Sequence, residues 1–293
     1  MEITREIFWN VGTWVRWPVY VLGLIVIIIF VRGLVKRVRI WKIGKPENRT
    51  DKIGKRIASI LSFGLFHKRI LREWYPGITH LFLFWGFLVL LLGTILIFIQ
   101  EDFTKLIFGA EFIHGGFYLL FSFALDFFGL SAVIGLILLA FRRYVLRPDG
   151  LDNRPEDFII LAVIFLILAT GFLNEGLRIA VTRPVFERYS FVGWEISKLF
   201  ASPGGNPASL RGLHAAVWWV HVVLAFAFIA YVAYSRLLHL ITSPLNQFFR
   251  SFAPKGEVKA IPDIENQETF GVAKLEEFTW KQLLDTDACT RCG

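Results

Sequence analysis

Six histidines and two cysteines supply most of the chemistry available to this 293-residue chain. His80, His114, His214, His221 and His239 lie inside long apolar stretches or at their edges, and His67 lies in a basic, amphipathic one. An ionisable side chain is costly inside a bilayer, so a histidine there marks a ligand site, a proton path or a hydrogen bond to a neighbouring helix. His221 and His239 are 18 residues apart. On one continuous helix that is five full turns, which puts both rings on one face, about 27 Å apart along the axis. His80 opens a different apolar stretch at the expected depth of His239. Two neutral imidazoles from different helices can provide both axial nitrogens of a haem iron and tune its potential. No carboxylate or cysteine joins that pair, so a non-haem metal is the poorer match. For any one histidine alone, a neutral ring hydrogen-bonded within the helices is the plain alternative.

Cys289 and Cys292 stand in Asp287-Ala-Cys-Thr-Arg-Cys-Gly293. A pair with two residues between reads as metal or redox chemistry rather than a staple. It also opens the C-x₂-C-x₂-C-x₃-C-P run of bacterial ferredoxins. Two cysteines cannot hold a four-iron cluster by themselves, and zinc or a thiol pair stay open. Glu175 and Arg178, in Asn174-Glu-Gly-Leu-Arg178, are three apart and share a helix face. A carboxylate so placed could relay protons to a carrier that takes up two electrons and two protons; an ion pair at a helix end is the alternative. Asp126, amid Phe and Leu, must be protonated, bonded to a neighbouring helix or bonded to a haem propionate.

Helices must position these groups. Hydrophobic residues make up 55% of the chain and charged ones 19%, against about 45–50% and 25% in soluble domains. That excludes a disordered chain, a collagen-like fibre and a disulfide scaffold. Five windows are long enough to cross a bilayer: one centred on Val19–Val31, then Ile78–Ile99, Phe112–Phe141, Phe158 to about Leu177, and Leu213–Ile241. Arginines follow the first window and no small-residue cleavage site does, so it reads as an uncleaved anchor. Thirteen Lys/Arg lie between Arg32 and Arg72, and Arg142, Arg143, Arg147, Arg154 and the tail after Ile241 add to the same side. The positive-inside rule then puts the N-terminus outside and the tail in the cytoplasm. The net charge of +8 sits beside apolar blocks, which favours a membrane surface over nucleic acid. Asp51–Tyr75 reads as an amphipathic helix on the inner surface and Arg183–Leu199 as one on the outer surface, anchored by Trp194. Ser202–Pro207 reads as a loop, and no internal repeat is visible. The expected fold is all-α, a five-helix transmembrane bundle with interfacial helices. Residues 1–249 would form the membrane domain, and 250–293 a cytoplasmic linker leading into the start of a ferredoxin-like segment.

Ser235-Arg-Leu-Leu-His-Leu-Ile-Thr-Ser-Pro244, with His221 eighteen residues before His239, resembles the last helix of the nitrate reductase gamma subunit family. Thr79-His-Leu-Phe-Leu-Phe-Trp-Gly86 is similar to that family's second helix. The resemblance covers about residues 10–250. It implies a five-helix dihaem cytochrome b that exchanges electrons with quinol, with His80 and His239 on the inner haem b. The family's outer haem takes a second histidine ten residues further along the second helix, where this chain has Leu90. His221 must then find another partner. His114, followed by Gly115 and Gly116, is the expected one, with His214 as its rival; His67 is expected to be a surface or contact residue. The tail from Phe278 to the cysteines resembles the junction in fused cytochrome b/iron–sulfur proteins of the heterodisulfide-reductase-like kind. Some of these are electron-transfer-flavoprotein:menaquinone oxidoreductases.

The resemblance therefore implies a multi-pass protein of the cytoplasmic membrane. It would carry two haems b, with a 4Fe-4S cluster in the full-length protein, menaquinone or a related quinone as carrier, and electron-transfer flavoprotein as a soluble partner. A transporter with proton-relaying histidines, or a cofactor-free anchor, are the competing readings. No pair of Gly/Pro-broken helices supports the first, and the second leaves the histidine spacing unexplained.

Overall fold

In the computed structural model, residues 3–200, 206–254, 256–257, 264–266 and 271–289 are described. Five helices are long and apolar enough to cross a membrane. They are α1 (Arg16–Trp41), α3 (Trp74–Ile99), α5 (Gly115–Phe141), α6 (Pro155–Thr182) and α8 (Pro207–Val232). Shorter helices lie between and after them: α2 (Ile53–Ser59), α4 (Lys105–Phe108), α7 (Phe191–Phe200), α9 (His239–Phe248) and α10 (Trp280–Asp287). Among the described residues there is no strand, only one isolated bridge between Lys45 and Thr279.

Local sequence sets several boundaries. Pro155 opens α6, where its missing N–H costs nothing, and the Asp157 carboxylate accepts the Arg154 N–H at 2.9 Å. Pro207, read as loop, is likewise the first residue of α8; residues 201–205 of that loop lie outside the described residues. The fifth window is where the structure departs most from expectation. It is not one helix to Ile241. α8 ends at Val232, Ala233–Ser235 are non-helical, and a 3₁₀ turn (Arg236–Leu238) leads into α9. Ser235 is extended and its hydroxyl accepts the Leu237 N–H at 3.2 Å, which starts a new helix rather than continuing the old one. His221 and His239 therefore belong to different helices, and the five-turn argument does not hold between them.

The chain divides into two compact units. One comprises Met1–Ile25 and Glu73–Phe228; the other comprises Val26–Arg72 and Ile229–Cys292. In the first, α3 and α5 share the largest helix–helix interface. Gly86 stands against Ala132 and Gly135 against the Thr79 carbonyl, so a side chain at either glycine would collide with the facing helix. Ala132, Leu136, Leu161 and Leu168 form a buried cluster of α5 and α6, and Leu83 and Leu90 of α3 pack on it. Leu90, where the resemblance implies a second histidine, thus packs against an apolar cluster.

In the second unit, the expected inner amphipathic helix is α2, continued by a π-helical turn (Ile60–Leu65) and a 3₁₀ turn (Ile70–Arg72). Arg56 is buried and ties α2 to the end of α9, donating to the Phe248 carbonyl at 2.8 Å and the Arg250 carbonyl at 3.2 Å. His67 is not a surface residue: it is 3% exposed, and its Nδ1 meets the Leu65 carbonyl at 3.1 Å. Burial lowers its pKa against the opposing effect of that hydrogen bond. The expected outer segment, Arg183–Leu199, belongs to the first unit as a 3₁₀ turn (Val185–Tyr189) followed by α7.

Candidate functional site

His221, on α8, faces α6. Its Nδ1 lies 2.9 Å from the Thr170 hydroxyl, which itself donates to the Leu166 carbonyl at 2.6 Å. With its proton committed there, the hydroxyl oxygen accepts, so His221 carries its proton on Nδ1. Its Nε2 then holds the lone pair. Gly171 lets the helices approach, since a Cβ there would sit 3.4 Å from the imidazole Cε1. His239, the first residue of α9, has the same tautomer for a simpler reason. Its Nδ1 is 2.7 Å from the Arg236 carbonyl, which can only accept. An Nδ1–H held by a neighbouring oxygen, with Nε2 bearing a lone pair, is the arrangement that orients a histidine for a metal.

His214 is the reverse. The Asn10 amide donates to the Arg211 carbonyl at 2.7 Å, which fixes the amide's orientation, and its nitrogen lies 3.4 Å from His214 Nδ1. Nδ1 of His214 therefore accepts and Nε2 carries the proton. The ring is buried with the Trp9 indole edge-on at 4.8 Å. His214 thus differs from His221 and His239, whose Nε2 bears the lone pair.

His80 lies on α3, stacked on Phe84 with 6.5 Å between ring centroids. It shares a face with Phe84 and Phe87 by spacing, and Phe87 meets Phe228 of α8 at 6.3 Å. His114 is the exposed residue before the first turn of α5. Its segment is held by Gln100, whose side-chain oxygen accepts the N–H groups of Phe112 (3.1 Å) and Ile113 (2.7 Å). Tyr118, one turn further on, and Arg178 of α6 both donate to Glu187. Thr170, beside His221, is about 12 Å along α6 from Arg178.

Around Arg178 lies a buried polar network of which the sequence revealed only part. Glu187 is fully buried. It accepts from Arg178 at 2.5 Å, the Tyr118 hydroxyl at 2.7 Å and the Ser190 hydroxyl at 3.1 Å. Burial pushes the Glu187 carboxyl up, but the Arg178 guanidinium, the Tyr118 hydroxyl and the charge of Arg5 outweigh it and hold the group below the usual carboxylate range. The expected Glu175–Arg178 pair exists at 3.8 Å, secondary to Glu187. Asp126, 2% exposed, is bonded to a neighbouring helix: its carboxylate accepts the N–H groups of Val192 (2.6 Å) and Gly193 (3.3 Å) at the start of α7. It thus caps another helix's free donors. The Glu175 side chain lies against Gly193, where a Cβ would not fit.

In the second unit, Cys289 is exposed just after α10, as a free thiol; Cys292 lies outside the described residues. Among the described residues, no group of three or more His, Cys, Asp or Glu is arranged to hold a metal ion.

Comparison with known proteins adds a context. The chain is 38% identical over 289 residues to the EtfAB:quinone oxidoreductase of Syntrophomonas wolfei, covering 95% of this chain and 39% of that protein. It is 26% identical to the probable iron-sulfur-binding oxidoreductase FadF of Bacillus subtilis, over 90% of this chain and 37% of that protein. It is 27% identical to one subunit of the dihydromethanophenazine:CoB--CoM heterodisulfide reductase of Methanosarcina barkeri, over 66% of each. The chain thus spans well under half the length of the first two relatives. No solved structure matches it. Residues 14–254 match the nitrate reductase gamma subunit family, and with five helices able to span a bilayer the chain is a multi-pass membrane protein of that family.

Proposed function

We propose that this chain is the cytochrome b half of a quinone-dependent oxidoreductase. It would pass electrons between a cytoplasmic iron–sulfur/flavin partner, with electron-transfer flavoprotein as the candidate, and menaquinone or a related quinone. The relatives' names motivate the partners. The observation that carries the redox reading is that Nδ1 of His221 and of His239 each lies within hydrogen-bond distance of an oxygen, an arrangement that fixes the ring and leaves the lone pair to Nε2. Haem b, when bound, supplies a one-electron iron couple at axial nitrogens of this kind.

His80 and His239 are put forward as ligands of the inner haem and His221 as a ligand of the outer one. His114 is the partner expected from the sequence for His221, and its depth makes that the first ligation to check. Asp126 accepts the N–H of Gly193, against which the Glu175 side chain lies, and Glu175 pairs with Arg178 at 3.8 Å. That pair would deliver or collect the quinone's protons, while Glu187 fixes the Arg178 guanidinium. With the N-terminus outside, Cys289 and Cys292 on the cytoplasmic side would begin a 4Fe-4S site completed by a further stretch of protein.

A reduced-minus-oxidised visible spectrum of the purified protein, with pyridine haemochrome quantification, tests the core of this reading. Two haems b per chain are expected, and His239→Ala should remove one. Full haem content in that variant refutes the His239 assignment, and a colourless wild type refutes the cytochrome reading altogether.

A further inference from the structure

The segment before Cys289 is built into the second unit rather than hung from it. Trp41 closes α1, and its indole N–H donates to the Asp287 carboxylate at 2.7 Å, while Arg37 reaches the other carboxylate oxygen at 3.3 Å. From α9, the Thr242 hydroxyl shares its proton between the Leu238 carbonyl of its own turn and the Asp287 backbone carbonyl, each at 3.2 Å. Leu283 and Leu284 of α10 are buried with Trp41, and Val38, Leu245, Phe249 and Trp280 pack on them. The entry to α10 is fixed as well. Thr279 caps it with Gln282, Trp280 donates to the Glu47 carbonyl at 2.8 Å, and the Lys45 and Phe278–Trp280 backbones pair. Gly44 lies so close to Trp280 that a side chain there would strike its backbone.

Asp287 is thus a joint between three elements. Thr242 is one turn beyond His239 on α9, and Cys289 is two residues beyond Asp287, so the two lie within about 20 Å along a bonded path. An undocked chain from Phe249 to Cys289 would instead have an end-to-end distance on the order of 30–40 Å.

We propose that Trp41, Thr242 and Asp287 are positioning residues for electron entry: they clamp α10 so that the cluster begun by Cys289 is held beside the helix that opens with His239. This rests on the functional reading above, and adds which side chains set the separation. Each link donates to Asp287, and Trp41 donates to its charged carboxylate, so losing one should shift the docked-to-undocked ratio on the order of tenfold.

The test uses the full-length holoenzyme with Trp41→Phe, Thr242→Val and Asp287→Ala, and two readouts. The first is tryptic cleavage after Lys281, which is 5% exposed within α10, measured against cleavage after exposed Lys274. Cleavage of a buried site tracks the open population, so it should rise about tenfold in Asp287→Ala. The second is the rate at which a reduced cluster reduces haem in a single turnover. It should fall by a similar factor at unchanged haem content and unchanged cluster signal. Cleavage that stays at the wild-type rate in all three variants overturns the clamp. Faster cleavage with an unchanged haem reduction rate overturns its role in electron entry. A wild type without haem sinks the functional reading and this proposal with it, and the spectrum alone identifies that case.

Discussion

The Arg178–Glu187 pair offers the most exacting test of the structure. Glu187 is wholly buried, and the Arg178 side chain is only 9% exposed. Replacing Glu187 by Gln keeps the shape and one carbonyl oxygen but deletes the charge, and it turns an NH₂ toward groups that are themselves donors. Breaking a buried ion pair from one side costs about 3–5 kcal/mol, because the remaining charge is stranded. For a domain of this size that corresponds to roughly 5–20 °C of melting temperature. The same principle gives the opposite expectation for removing both partners. Arg178→Met with Glu187→Leu should recover most of the loss, since an apolar pair of similar volume is often neutral or better. The assay is thermal loss of the monodisperse peak in detergent, for wild type, both single variants and the double. The pH dependence follows from the direction of the Glu187 shift. Its folded pKa is lowered, so its contribution is complete above the unfolded value of about 4.3 and is lost as pH falls through the lower folded value. That acid-side loss should be smaller in the double variant. A Glu187→Gln protein melting within about 2 °C of wild type, or a double variant no better than the single, would refute the reasoning.

Thr170→Val removes the acceptor of the His221 Nδ1–H, and should weaken retention of one haem about 10–100-fold, read as haem lost on dilution in detergent; retention at wild-type levels argues against His221 as a ligand. Asp126→Leu strands the N–H donors of Val192 and Gly193 and should destabilise by about 1–3 kcal/mol, visible as faster amide exchange in the first turn of α7. Glu175→Gln, with haem content intact, should slow quinone turnover by about 10²-fold; unchanged turnover makes Glu175 a structural charge. His67 has a pKa lowered by burial, so the second unit should lose stability as pH falls below the unfolded value near 6.5, and His67→Leu should flatten that slope in a pH series of melting curves.

The five spans were legible because bilayer length and composition leave few alternatives: the ends of α3, α5 and α6 fall within a few residues of the apolar windows. The break after Val232 was not legible from hydropathy, since Tyr234 and Leu237 continue the apolar pattern. Its one local signal is Ser235, a capping residue inside what reads as a span. Glu187 escaped notice because a lone glutamate in a polar connection looks solvated; only the fold shows Tyr118 and Arg178 converging on it from two helices. Asp126 was flagged by its cost, but its partners are backbone N–H groups 66 and 67 residues away, which no side-chain pattern encodes. The difference between His214 and the other α8 histidine is likewise invisible in sequence, because it depends on whether Asn10 or Thr170 faces the ring.

The docking of α10 also has a timetable. Trp41 and Asp287 are 246 residues apart, and a ribosome adds about 5–20 residues per second. The face formed by Trp41, Lys45 and Glu47 therefore waits on the order of 10–50 s after it is made before the helix that covers it is synthesised. Every membrane-crossing helix has been translated by then. Closure of this joint is a late step of assembly, so nascent chains stalled before residue 280 should expose Trp41 to quenchers and to chaperones that finished chains do not engage.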